Sequence, residues 1–236
     1  MITMKESELG LLFEKFICSN HDLKYQFDIF LEEVESIQGI PDYIGACIKD
    51  IQQCNSFFNT FSNENWMGIS KILSCLSYKR GYTVNYILRK TGFNESQLEK
   101  MLSQLVNKNI LQKDDKNKYF IQKTTVIPQL SIVSFELKID NWKRALFQAI
   151  RYKTFSDYSY IVMPIEKRNI LEKNIEIFIA NNVGIALYDE KLNIMRIMYR
   201  AKKNQRKSKI HSNYMSGKIL FESKLEKHMS SSVKIR

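Results

Sequence analysis

Residues 132–152 read IVSFELKIDNWKRALFQAIRY. Val133, Phe135, Leu137 and Ile139 alternate with Ser134, Glu136 and Lys138, which is the two-residue period of a β-strand with one apolar face. Glu136 and Lys138 then share the opposite face. A charge in a strand is costly unless paired or bound, so the two are either a solvated edge or the floor of a site. A helix over about 141–153 follows at once. Gln148 and Tyr152 lie four residues apart on one of its faces, and Ala145 and Ala149 are small enough to allow close approach. Side chains from strand and helix can therefore converge on one patch.

Working outward, the order of elements is α/β. ESELGLLFEKFICS (6–19) sets Leu9, Leu12, Phe13, Phe16 and Ile17 at helical spacing, and KYQFDIFLEEVES (24–36) reads as a second helix. GIPDYIGACI (39–48) supplies a turn and an apolar strand over 43–48. Beyond the opening stretch come the strand YSYIVMP (158–164), a helix near 167–181, and the strands VGIALYD (183–189) and LNIMRIMYR (192–200). Residues 64–124 read as a unit of their own. Helices are expected in MGISKILSCLSYKRG (67–81), ended by Gly81, and in YTVNYILRKTG (82–92), ended by Gly92. A third, NESQLEKMLSQLVNKN (94–109), has Asn94 as its N-cap. Two short strands then flank the polar tip 114–118, and three helices with a basic hairpin are the pattern of a winged helix.

Composition narrows the classes. With 44% hydrophobic and 26% charged residues, the chain is expected to fold as a globular protein rather than remain disordered. No run of about eighteen apolar residues suggests a membrane span. MITMKESELG carries no basic-then-apolar leader, so a cytoplasmic location is expected. Cys18, Cys47, Cys54 and Cys75 form no CxxC pair, and only His21, His211 and His228 could join them, so reduced thiols are expected rather than a zinc site. The net charge of +11 is uneven: residues 1–63 carry −6, 64–124 carry +6, 125–200 carry +3 and 201–236 carry +8. Acidic groups concentrated at one end and basic ones elsewhere point to a polyanionic partner.

Pro41-Asp42, then Glu136-Leu137-Lys138, then Gln148 and Tyr152 in QxxxY spacing together resemble the PD-(D/E)xK nuclease superfamily in its RecB-like branch. The resemblance implies a restriction-endonuclease-like mixed sheet flanked by helices. In that pattern the Asp lies at the start of one strand and the (D/E)xK on the next, joined by a hairpin. Here 94 residues separate Asp42 from Glu136. An inserted winged helix-turn-helix domain over 57–124 accounts for the gap and for its basic charge. The expected parts are thus 1–56 and 125–200 as the two pieces of a nuclease-like domain, 57–124 as the insert, and 201–236 as a basic tail.

The chemistry implied is Mg²⁺- or Mn²⁺-dependent hydrolysis of DNA phosphodiesters, with restriction or antiviral defence as the context. Asp42 and Glu136 would be the metal ligands, through hard carboxylate oxygens. Lys138 would stabilise the transition state, Gln148 and Tyr152 would support the site, and either Glu8 or Glu14 would join it from the first helix. On the insert, Gln97, Lys100, Gln104 and Lys108 are the candidate groove contacts. Lys113, Lys116 and Lys118 are candidate phosphate contacts, and Lys202, Lys203, Arg206, Lys207 and Lys209 add a non-specific one. DNA is the expected partner, with room for a protein partner or a homodimer and no membrane. The alternative is a non-catalytic DNA-binding regulator or accessory subunit on a nuclease-like fold. No Walker-type glycine loop is present to use ATP.

Overall fold

The computed structural model describes residues 5–19, 26–125, 127–192, 194–205 and 207–230. His21, Arg206 and residues 24 and 25 of the second expected helix lie outside them, as do the side chains of Cys18 and His228. In chain order the elements begin α1 (Glu6–Ser19), β1 (Ile29–Glu32), β2 (Tyr43–Ile48), α2 (Ile51–Thr60), α3 (Trp66–Cys75), α4 (Val84–Thr91), α5 (Glu95–Asn107), β3 (Leu111–Lys113) and β4 (Tyr119–Ile121). They continue β5 (Leu130–Leu137), α6 (Trp142–Tyr152), β6 (Tyr158–Pro164), α7 (Arg168–Lys173), α8 (Ile175–Asn181), β7 (Gly184–Asp189), β8 (Ile194–Tyr199) and α9 (Lys209–Ser230). The chain divides into two compact units, Met1–Ile48 with Leu130–His211, and Lys49–Gln129 with Ser212–Arg236.

The first unit is a six-stranded mixed sheet flanked by helices, in the order β1-β2-β5-β6-β7-β8. β5, β6 and β7 run parallel, and β1, β2 and β8 are antiparallel to their neighbours. Alternation sorts the side chains. Val133, Phe135 and Leu137 of β5, Tyr160 and Val162 of β6, and Ala186 and Tyr188 of β7 pack with Leu9, Phe13, Phe16 and Ile17 of α1. On the other face, Ile161, Met163, Ile185 and Leu187 pack with Trp142, Ala145, Leu146 and Ala149 of α6, and with Leu171 and Phe178 of α7 and α8. The Phe13 ring lies 5.0–6.1 Å from those of Phe30, Tyr43 and Phe135. Each such pair adds about 0.5–1.5 kcal/mol beyond area burial.

Three expectations need correction. The helix over 24–36 is replaced at 29–32 by β1, because backbone pairing of Ile29 with Ala46 and of Glu32 with Tyr43 outweighs local helical spacing. The helix expected to reach Gly81 stops at Cys75. Leu76 turns extended, and the chain then runs beside β4, with Ile121 N donating to Ser77 O and Tyr82 bridging to Tyr119. The helix near 167–181 is broken into α7 and α8 at Asn174, whose side-chain amide donates back to Ile170 O.

The second unit holds α2 to α5, the two-stranded β3–β4 sheet and α9 from Ser212 onward. Residues 201–236, read as a single tail, are therefore divided between the two units. Side-chain caps start its helices. Asp50 accepts from Gln52 N and Gln53 N, Thr83 from Tyr86 N, and Asn94 from Gln97 N. Gly92 closes α4 with φ of 71°, a left-handed conformation that glycine adopts without cost. Buried Phe57, Phe61, Trp66 and Phe221 form an aromatic cluster, and Trp66 Nε1 donates to Tyr214 O at 2.8 Å. A Cβ on Gly217 would come within 2.2 Å of the indole, so α9 can pass here only with a glycine. Among the described residues, no helix is long and apolar enough to cross a membrane.

Candidate functional site

The register of the sheet brings the distant acids together. Tyr43 pairs with Phe135 across β2 and β5, and one step beyond that pair Asp42 Oδ2 accepts a hydrogen bond from Leu137 N at 2.6 Å. Lys138 follows the end of β5 and continues the ladder by donating its backbone N–H to Val162 O. Its ammonium is surrounded by oxygens. It donates to Leu137 O at 2.8 Å and to Glu6 Oε2 at 3.4 Å, and lies 3.2 Å from Glu136 Oε1 and 3.9 Å from Asp42 Oδ2.

Glu136 is not on a solvated edge: its residue exposure is 0%. β5 is covered on both faces, and the face carrying Ser134 and Glu136 lies under α6. The single proton of Ser134 Oγ is shared between Ser156 Oγ at 3.2 Å and Ser159 Oγ at 3.1 Å, and Ser159 donates to Ala149 O. Tyr152 of α6 points its hydroxyl at Glu136 Oε2, at 2.8 Å, and at Ile40 O, at 2.9 Å. Gln148 lies beside the Tyr152 hydroxyl and opposes the rise in its pKa, while Gln148 Oε1 is buried without a hydrogen-bond partner. Ala145 and Ala149 are fully buried, which lets α6 approach the sheet closely enough for these contacts.

Burial sets the electrostatics. Desolvation, reinforced by Asp42, pushes the Glu136 carboxyl up to about 7, against the opposing pull of Lys138 and the Tyr152 hydrogen bond. Desolvation also raises Asp42, although the Leu137 N–H and Lys138 oppose it. For Lys138 burial acts downward, but Asp42 and Glu136 together outweigh it, so its pKa is raised and it stays cationic. A phenol has one proton. Tyr152 can satisfy Ile40 O while bonded to Glu136 only when Glu136 is itself protonated and donates to the phenol oxygen.

The first helix brings Glu6, an acid beyond the two expected, to Lys138 and sets Glu14 in the cleft beside Asp42. Glu6 reaches Lys138, whereas Glu8 accepts from Lys5 N at 2.8 Å in its own helix turn. Glu14 and Glu6 line a cleft of about 460 Å³ together with Gly10, Asp42, Tyr43 and Leu137. Glu6, Gly10 and Glu14 recur at four-residue steps along one line of α1, and Glu6 sits three residues before Leu9 on the buried stripe. That spacing was the available signal for Glu6.

The site fits a divalent cation in its donor chemistry. Two carboxylates supply hard oxygens, and Glu136 Oε1 is buried with the Lys138 ammonium 3.2 Å away, an ion pair that a metal would share. Asp42 and Glu136 would hold it. No cluster of three or more His, Cys, Asp or Glu residues suited to a metal occurs among the described residues, so waters or substrate oxygens would complete the shell.

In the second unit Gln97, Lys100 and Gln104 are exposed on α5 and line a groove of about 390 Å³ with Met67, Phe93 and Met101. Lys108 at the end of α5, Lys113 of β3 and Lys116 at the hairpin tip are exposed, and Lys118 is half-buried. From the basic segment after β8, Lys207 pairs with buried Asp157 at 2.9 Å. That lysine has a role in holding the fold. Set beside models of protein families, curated proteins and solved structures, the chain finds no match in any of the three.

Proposed function

We propose that the chain is a metal-dependent deoxyribonuclease of PD-(D/E)xK type that holds DNA through an inserted winged helix-turn-helix. One observation carries the reading: Asp42 and Glu136, 94 residues apart, lie within 4 Å of the same Lys138 ammonium, with Tyr152 bonded to Glu136. The order of the sheet supports it too, since an antiparallel β1-β2-β5 run is followed by α6 and a parallel β6. Mg²⁺ or Mn²⁺ bound at Asp42 and Glu136 would activate a water and offset charge on the scissile phosphate. Lys138 would orient that water and stabilise the negative charge that develops on the phosphate oxygens. Tyr152 holds Glu136 through its hydroxyl, and Glu6 holds Lys138.

For the second unit, three successive helices and an antiparallel hairpin with exposed lysines support α5 as the groove-reading helix and Lys113 and Lys116 as phosphate contacts. The test is incubation of purified protein with linear, circular and single-stranded DNA, in Mg²⁺, Mn²⁺ or chelator. Metal-dependent cleavage that disappears in Glu136→Ala and in Lys138→Ala is the expected result. Tight DNA binding without cleavage in either metal would overturn it, leaving a non-catalytic regulator or accessory subunit on the same fold.

A further inference from the structure

The second unit carries a surface that the expected groove contacts do not use. No acidic residue occurs between Glu64 and Glu95, while Lys71, Lys79, Arg80, Arg89 and Lys90 all fall in that stretch. Within it, half-buried Tyr82 and Tyr86 face each other with ring centroids 4.8 Å apart and planes inclined by 31°. The Arg80 guanidinium lies 5.7 Å from the centre of the Tyr82 ring, and the Lys90 ammonium 5.9 Å from that of Tyr86. The array therefore runs cation, ring, ring, cation.

Its mounting is rigid. Tyr82 exchanges both backbone hydrogen bonds with Tyr119 of β4, at 3.0 and 2.8 Å, and Ser77 O accepts from Ile121 N at 3.1 Å. The loop is thus pinned on either side of Arg80 as an extra edge of the hairpin. A Cβ on Gly81 would meet the Phe120 ring at 2.5 Å, so the glycine permits the close packing that fixes Arg80 and Tyr82. Tyr86 sits in the first turn of α4, whose start is capped by Thr83.

We propose that Arg80, Tyr82, Tyr86 and Lys90 form a stacking platform for single-stranded DNA, distinct from α5. Arg80 and Lys90, both exposed, would swing to the phosphates and leave the outer faces of Tyr82 and Tyr86 to unstacked bases of any sequence. A duplex keeps its bases stacked on one another and offers such rings only its edges. The inference rests on the DNA-cleaving reading for its choice of DNA, and it names the strand state that this unit would bind.

The experiment measures binding alone, in chelator, so it stands whether or not the protein cuts. Fluorescence anisotropy is read with a labelled oligothymidylate of about 16 nucleotides, the matching oligouridylate and a duplex of equal length. Tyr82→Leu and Tyr86→Leu keep apolar bulk, and circular dichroism verifies that they fold. Each is expected to weaken oligothymidylate binding roughly ten-fold while changing duplex binding little. Lys100→Ala is expected to do the reverse. Arg80→Gln with Lys90→Gln, at more exposed positions, gives a second route to the same loss. Equal losses for single strand and duplex, no loss for either, or tighter binding of oligouridylate than of oligothymidylate would each overturn the proposal.

Discussion

The two units handle charge in opposite ways. In the first, the decisive polar groups are buried: Glu136 is fully enclosed, Lys138 has a side-chain exposure of 13%, and their partners include Asp42 beside the sheet, Tyr152 of α6 and Glu6 of α1. In the second, Lys100, Lys108, Lys113 and Lys116 stand exposed outside a core of Phe57, Trp66, Leu98, Leu102 and Leu105. A buried acid is coupled to the fold and to its neighbours' protonation, so changing it alters reactivity and pH response together. A surface cation acts through a screened field and can be removed with little effect on stability. The difference teaches where each kind of substitution should register.

Glu136→Gln tests the buried side most severely. It keeps shape and loses charge, so cleavage in Mg²⁺ should fall about 10³-fold in single-turnover assays while the urea midpoint holds or rises. A large loss of stability instead would mean that Glu136 is a packing element. Trp66→Ala should show the converse: about 3–5 kcal/mol lost on chemical denaturation of the second unit, with cleavage per folded molecule unchanged.

The pH response sharpens the contrast. Glu136 is raised in the folded protein from an ordinary 4.5 to about 7, so the native state holds a proton that the unfolded chain has released. Its contribution to stability is fully present below about 4.5 and is lost as pH rises through about 7, on the order of 3 kcal/mol in all. Stability profiles of wild type and Glu136→Gln should converge in shape below that window and separate within it. If the two profiles run parallel throughout, the acid is not perturbed by burial. The smallest effect belongs to the surface. Lys113→Ala and Lys116→Ala should leave stability unchanged and each flatten the log–log salt dependence of duplex binding by about 0.9.

How far the sequence carried the structure depends on the range of the forces involved. The β5 alternation and the Gln148–Tyr152 spacing were legible because both are local periodicities. What alternation could not say is that both faces of β5 are covered, since that depends on α1 and α6 arriving from opposite sides. Four residues of IFLE are too few to distinguish a strand from a helical turn, and only pairing with β2 decides it. Glu6 and Glu14 lie along one line of α1, so the Leu9–Phe13–Phe16–Ile17 stripe sets both apart from Glu8 without choosing between them. The membership of α9 was hidden because it rests on contacts such as Trp66 to Tyr214, 148 residues apart.

That last contact bears on how the chain matures as it leaves the ribosome. Ile48 and Leu130 are register partners, so β2 and β5 meet only after the 49–129 segment has been made and its ends drawn together. Closing so long a loop costs about 2–3 kcal/mol more than closing a short turn when the loop is unstructured, and little when it is already folded. Yet its folded form includes α9, which follows every strand of the sheet in sequence, with Gly217 seated against Trp66. Neither unit can finish early. A message truncated before α9 would leave Trp66 uncovered and would delay the joining of Asp42 to Glu136, so these two acids come together only once α9 has been made.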